Sequence, residues 1–556
     1  MCIMAVLVAG CVVGPDFMRP PAPVVAGYTE PAVSLPQSGG TEPEQNLIVA
    51  NAVIPRWWEL FQSPQINDTV TLALAASPTL MSAWANLAQA EEVVTQARAE
   101  YYPQLDLGVN TNWSHGRAFG SSASSDSNAS ANLVGIGPLL SYSPDLFGHN
   151  RRFVEQQAAL ADDQRYQLAA AYLSLTAGAV SQAVTIASTV AQIKAVQDII
   201  AADEHNLELV RIEFEAGSTA RTDVLSAESQ LANDQTLLPP LQQQLGVARD
   251  ALSVLVGKLP VQWAPPEFTF ETLTLPSELP LTIPSVLVHD RPDILAAEAL
   301  LHAASAAIGV ATSELYPNVT LSASSVLQAA TAGSRLDASI TSVATTLTTP
   351  LFHGGALEAQ RRAAVDAFDA QLGNYRQTVL QAFGQIADVL QALNQDAVRL
   401  RAETLAVTTS SESLALAQEA YKAGRGSLLQ ILDAQRLYSQ ALLGYAQTEG
   451  QRYLDTVLLF EAMGGAAREW LEQAASVSRP QSMNHSAHLC SSPSRLLGST
   501  RRSMRNGRKD VKLMKIVRSI FATPLVIYLA LDRLAKRLGR LRAKRRQPQL
   551  QVEAGS

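Results

Sequence analysis

One stretch of this chain occurs twice, and the repetition constrains the fold more than any other feature. "EFEAGSTARTDVLSAESQL" (213–231) returns as "AYKAGRGSLLQILDAQRLY" (420–438) at an offset of 207. Ala216 and Gly217 fall on Ala423 and Gly424, Leu225 on Leu432, and Ala227 on Ala434. Upstream, "SPTLMSAWANLAQAEEVVTQARAEYYPQL" (77–105) is echoed by "RPDILAAEALLHAASAAIGVATSELYPNV" (291–319), with Pro78 on Pro292 and Pro103 on Pro317. "PDLFGHNRR" at 144 is echoed by "PLFHGGALEAQRR" at 350. Self-similarity of this kind means one supersecondary unit built twice.

Proline fixes what the unit contains. None occurs between Pro144 and Pro239, or between Pro350 and Pro480, although the chain has 28. Proline breaks helices, so both spans read as helical, each interrupted by its AG turn. A helix from about Phe153 to Ala216 would be about 96 Å long, a length that suits a rod rather than a compact domain. Before it, helical periodicity runs from near Pro64 to about Ala99. "YYPQLDLGVNTNW" then alternates, with Leu105, Leu107, Val109 and Trp113 on one face and Asp106, Gly108, Asn110 and Asn112 on the other. A Gly/Ser loop and "NLVGIGPLLSY" complete a hairpin. Each half therefore reads as helix, hairpin, long helix, AG turn, helix. The boundaries expected are a signal remnant over 1–10, an extended leader without a core over 11–60, repeats over 61–265 and 266–475, and a tail over 476–556.

Charged residues are only 17% of the chain, which suits closely packed long helices. From residue 479 onward the tail carries 18 Lys+Arg against 3 Asp+Glu, whereas the rest carries 24 against 47. An acidic body argues against nucleic acid as a partner. The tail's "MKIVRSIFATPLVIYLALDRLAKRLGRLRAKRRQ" reads like the start of another protein fused by frameshift or read-through. It also suits an amphipathic helix on anionic lipid. At the other end, "MCIMAVLVAGC" places small residues before Cys11, which fits a lipoprotein signal whose cysteine is lipidated. It also fits an apolar cysteine near a frayed terminus.

Enzyme signatures are absent: there is no HExxH, Walker loop or GxSxG, and no cofactor is called for. "HGG" at 353–355 lacks a nucleophile elbow and reads as a strand-to-helix turn. His485, His488 and Cys490 form a lone cluster in a Ser-rich tail, read as disordered rather than as a metal site. No uninterrupted apolar run reaches about 18 residues, so no transmembrane helix is expected. The extended runs of about 9 to 11 residues have the length and alternation of barrel strands. Four strands cannot close a barrel, and lipid tolerates no open edge. Either the sheet packs on the helices of a soluble protein, or the chain oligomerises in a membrane. A secreted coiled-coil rod and a periplasmic hydrolase are weaker readings, since one leaves the hairpins unexplained and the other lacks a polar site.

The cysteine followed by "VGPDFMRPP", then "RWWELFQSPQINDTVTLALAASPTL", the "YYPQL"/"LYPNV" pair and the two AG turns occur in order from about residue 7 to 475. Together they resemble the TolC-like outer-membrane factors, of the NodT/OprM lipoprotein type. The resemblance implies a homotrimer in which four strands per chain make one twelve-stranded outer-membrane barrel, continued by a helical tunnel through the periplasm. It implies a drug or metal efflux machine completed by a periplasmic adaptor and a proton-driven inner-membrane transporter. It also implies a periplasmic gate at Tyr421 to Gln435. There Asp433 would join an axial carboxylate ring, weakened because the family's other acidic place is Gln430. Asp223 and Tyr421 would bond between the AG turns (Gly217, Gly424). The family's basic companion is missing at Gly426, with Arg425 one position earlier.

Overall fold

The computed structural model describes residues 12–23, 25, 27–30, 35, 44–50, 54–117, 128–332 and 334–476. The duplication is plain in its elements. The first half contains helices α1 (Pro64–Ala76) and α2 (Pro78–Ala99), strands β2 (Gln104–Arg117) and β3 (Asn128–Tyr142), and helices α3 (His149–Glu215), α4 (Arg221–Gln235) and α5 (Leu238–Leu255). The second contains α6 (Pro284–Asp290), α7 (Pro292–Ser313), β5 (Asn318–Ala332), β6 (Ser334–Thr348), α8 (Ala356–Lys422) and α9 (Leu428–Ala462), closed by α10 (Ala467–Ser476). Helices α3 and α8 are both 67 residues long, about 100 Å at 1.5 Å per residue. Each starts after a glycine with φ of +85°, Gly148 or Gly355.

The helices pack through small side chains. The core face of α3 carries Ala169, Ala177, Ala179, Ala183 and Ala187 among Leu168, Val180, Val184 and Ile186. Two helices, α3 and α7, contain 18-residue stretches apolar enough to cross a bilayer, and 67% of each is buried inside the protein. They are core helices. The expected single helix from Pro64 to Ala99 is two, because Ser77 turns extended ahead of Pro78.

The four long strands form one antiparallel sheet in the order β2-β3-β5-β6. They run to 14 or 15 residues, longer than their alternating cores suggested. Beyond the sheet, the body is belted by an element that sequence reading missed. Strand β1 (Asn46–Ala50) pairs in parallel with β4 (Glu278–Thr282), far away in the chain. A 3-10 turn over Trp57–Phe61 drives Trp57, Trp58 and Phe61 into a core with Tyr172, Tyr453 and Phe460, where Trp57 stacks on Phe460 at 5.1 Å.

The leader departs from the extended segment without a core that its composition predicts: its described residues are strapped to the helices. Val13 N–H donates to Phe147 O (3.1 Å). The buried Arg152 guanidinium donates to Val13 O, Gly14 O and Asp16. Arg19 reaches Glu298, and the Tyr28 hydroxyl donates to Thr282 O. Gln45 is buried between Pro276 O, Thr456 Oγ1 and the Arg452 guanidinium.

Candidate functional site

The sheet is built for two different solvents. Along β2, Leu105, Leu107, Val109 and Trp113 are exposed on one face. Register extends that face across the strands: Leu105 lies opposite Leu140, Val109 opposite Ile136, and Ile136 opposite Leu327. On β6, Val343 and Leu347 continue it opposite Ala323 and Val319. The other face is mostly polar or small, with Asp106, Asn110, Asn112 and Gln328, and the hydroxyls of Ser324 and Ser342 bonded at 2.8 Å. Among the described residues no helix covers the apolar face: Leu105, Leu107, Val109, Trp113, Ile136, Leu327, Val343 and Leu347 stand exposed. This disposes of a soluble sheet packed on the helices. An apolar band on one face of alternating antiparallel strands is what a membrane barrel requires. Among the described residues strands β2 and β6 are each paired on one side only, which leaves both outer edges open.

At the far end of the helices lie the two AG turns. After α3, Ser218 N–H donates to Glu213 O (2.9 Å) and Gly217 N–H to Phe214 O (2.9 Å). After α8, Arg425 N–H donates to Ala420 O (2.9 Å) and Gly424 N–H to Tyr421 O (2.8 Å). Both are Schellman caps, which place the residue after the cap in the left-handed region. Gly217 and Gly424 have φ of +76° and +70°, which explains why each turn ends in glycine. The next helix of each hairpin is capped at equivalent places: the Asp223 carboxylate accepts from Ala220 N–H (3.2 Å), and Gln430 Oε1 accepts from Ser427 N–H (3.0 Å). Gln430 therefore does at the second turn what Asp223 does at the first.

The two hairpins meet at the tip through Leu207, Val210, Val224, Ala227, Leu428 and Leu432, with Tyr421 packed against them. The Tyr421 hydroxyl donates across to Glu213, not to Asp223, so the expected partner is replaced. Geometry explains the exchange. Tyr421 lies three residues before its turn glycine and Glu213 four before its own, so both sit at the same height on parallel helices. Asp223 lies beyond its turn. Burial first, then the hydrogen bond and charge of Glu213, then the Asp223 charge, push the Tyr421 phenol up to about 12. Asp433 is exposed and paired with Arg436 at 2.7 Å, and Arg425 is exposed in the turn. Glu213 was missed: at the offset of 207 Tyr421 corresponds to Phe214, so the repeat does not point to it. "HGG" makes the turn into α8, with His353 O accepting from Ala356 N–H (3.1 Å). Among the described residues no three metal-binding side chains gather. Cys11, the His485/His488/Cys490 cluster and the basic tail lie outside the described residues.

A family model for outer membrane efflux proteins matches residues 69–258 and 283–465, one segment on each repeat. The chain belongs to that family. This outer membrane efflux protein is 30% identical over 417 residues to the pyoverdine export outer membrane protein OpmQ of Pseudomonas putida, covering 74% of this chain and 88% of that one. It is 26% identical to the toluene efflux pump outer membrane protein TtgC of Pseudomonas putida, covering 87% and 98%. A solved structure of the outer-membrane channel OprN superposes with a TM-score of 0.72 at 26% identity, covering 82% of this chain and 99% of that one. The family consists of channel proteins rather than enzymes, and this efflux protein is an outer-membrane channel component with the mixed α and β tunnel fold.

Proposed function

We propose that three copies of this chain close a twelve-stranded barrel and conduct small toxic organic compounds out of the cell. A periplasmic adaptor and a proton-driven inner-membrane pump deliver the cargo. The observation that carries the reading is the sheet: four strands with a bare apolar face and two open edges are untenable alone and complete when β6 of one copy pairs with β2 of the next. The cargo class follows the relatives, a pyoverdine export protein and a toluene efflux pump protein. The helical tip around Asp223, Tyr421, Arg425 and Asp433 is the periplasmic gate, with Asp433 facing the axis. Cys11 is the lipidated N-terminus that anchors the mature chain to outer-membrane lipid. The two repeats, 61–265 and 266–475, form the working channel, and the tail from 479 is dispensable.

The test is expression with a matched adaptor and pump in a strain lacking its own outer-membrane channel. The full chain and a chain ending at Ser478 should both restore resistance and run as a trimer in native electrophoresis. A monomer without channel activity in planar bilayers would overturn the reading.

A further inference from the structure

Each helical hairpin holds two aspartates facing one another between its arms. In the first, Asp203 on α3 faces Asp234 on α4, 14 residues before and 17 after Gly217. Asp203 is 2% exposed and Asp234 9%. Gln230 Nε2 donates to Asp234 Oδ2 (2.8 Å), while neither oxygen of Asp203 meets a donor among the described residues. Among the described residues the one charge acting on Asp203 is the Asp234 carboxylate, with no lysine, arginine or histidine to compensate it. In the second hairpin, Asp396 on α8 faces Asp455 on α9, 28 residues before and 31 after Gly424. They are 9% and 5% exposed. Gln451 Nε2 donates to Asp455 Oδ1 (3.1 Å), and Asp396 Oδ2 meets no donor among the described residues. Two cations act on this second pair, Arg399 on α8 and Arg452 on α9, and Arg452 is itself tied to Gln45 of the leader.

These pairs are not relics of the duplication. At the offset of 207 that relates the helices, Asp203 and Asp234 correspond to Ser410 and Ala441, while Asp396 and Asp455 correspond to Thr189 and Ala248. Each half has its own pair at its own depth. Two carboxylates facing each other away from water cannot both ionise cheaply, and one proton between them supplies the donor that Asp203 and Asp396 lack. We propose that each hairpin carries a proton-binding site, Asp203–Asp234 nearer the tip and Asp396–Asp455 farther from it, and that the bound proton fastens the two arms together in an acidic periplasm.

Burial first, then the facing carboxylate, push Asp203 up to about 8 and Asp396 up to about 7. Both values are raised above those of a solvated aspartate, so the packed hairpin holds more protons than parted arms do between about pH 4 and pH 8. Packing is therefore favoured at the acid side of that window and weakens as pH rises, by up to about tenfold per pH unit and per pair. Above the window the shared proton is lost, and repulsion between the facing carboxylates loosens the arms. The second pair, with two arginines beside it, loosens less.

Infrared difference spectra of the full chain in detergent, between about pH 5.5 and about pH 8.5, test this directly. The stretch of a protonated carboxyl should disappear on raising the pH. Asp203→Asn should remove one part of that signal and Asp396→Asn the other. Thermal midpoints should fall across the same window in the unmodified chain and stay flat in the double variant. Asp234→Asn and Asp455→Asn serve as second variants where the first fold poorly, since the carboxamide donates the bond the proton supplied. A carboxyl signal that persists in the double variant, or a midpoint that falls equally with pH in it, would overturn the proposal.

Discussion

At the residue scale, the proposed gate turns on which oxygen Tyr421 finds. A phenol donating to a carboxylate forms a charge-assisted bond, and with water at hand it contributes about 1 kcal/mol per chain. Tyr421→Phe keeps the ring against Leu207, Leu428 and Leu432 and removes only the bond. Both Tyr421→Phe and Glu213→Gln should shift the open-to-closed ratio by about fivefold per chain, read as raised single-channel conductance in planar bilayers. Asp223→Ala should act differently, because it strips the cap from α4 and loosens the helix start instead of freeing the tip. Equal conductance in the Tyr421, Glu213 and unmodified proteins would remove this bond from the gating mechanism.

At the element scale, the long helices, the hairpins and both AG turns were legible because each leaves a local mark: missing proline, period-two alternation, or a glycine at a cap. What was illegible lies between distant segments. Strand β1 is five residues, and its partner β4 begins 232 positions later, so neither looks like a strand until both are seen. The same holds for the Asp203–Asp234 pair and for Glu213, whose roles depend on which helices lie side by side. The leader is the clearest case. Its Pro-rich composition hides a strap whose pin is Arg152, a buried side chain on α3 that also pairs with Glu155 at 2.8 Å. Glu155 in turn bonds His302 at 2.9 Å, and Phe17 stacks on that imidazole at 4.5 Å. Arg152→Gln leaves two leader carbonyls and Asp16 without their donor, a loss of about 2 kcal/mol confined to one end of the strap. Hydrogen exchange over residues 12–17 should rise by about thirtyfold, while α3 itself stays protected. Unchanged exchange there would mean the strap is held elsewhere.

At the scale of the whole molecule, the question is which face of the sheet meets lipid. The alternation makes neighbouring residues opposite in role: Val109 and Asn110 are adjacent on β2, near its middle, yet belong to the apolar and polar faces. If the apolar face is outward, an arginine at 109 sits in hydrocarbon near the bilayer midplane, at a cost of about 2–4 kcal/mol per chain. Three copies in one barrel would multiply that cost, enough to oppose assembly against a net stability of about 5–15 kcal/mol. An arginine at 110 would point into a wet lumen and keep its hydration. Val109→Arg should therefore abolish the trimer and its outer-membrane fraction. Asn110→Arg should assemble normally and shift the channel's ion preference toward anions, because three new positive charges would ring the lumen. Membrane fractionation with native electrophoresis reads the first outcome, and reversal potentials under a salt gradient read the second. If the two substitutions behave alike, the sheet does not separate lipid from lumen, and the barrel must be assembled in some other way.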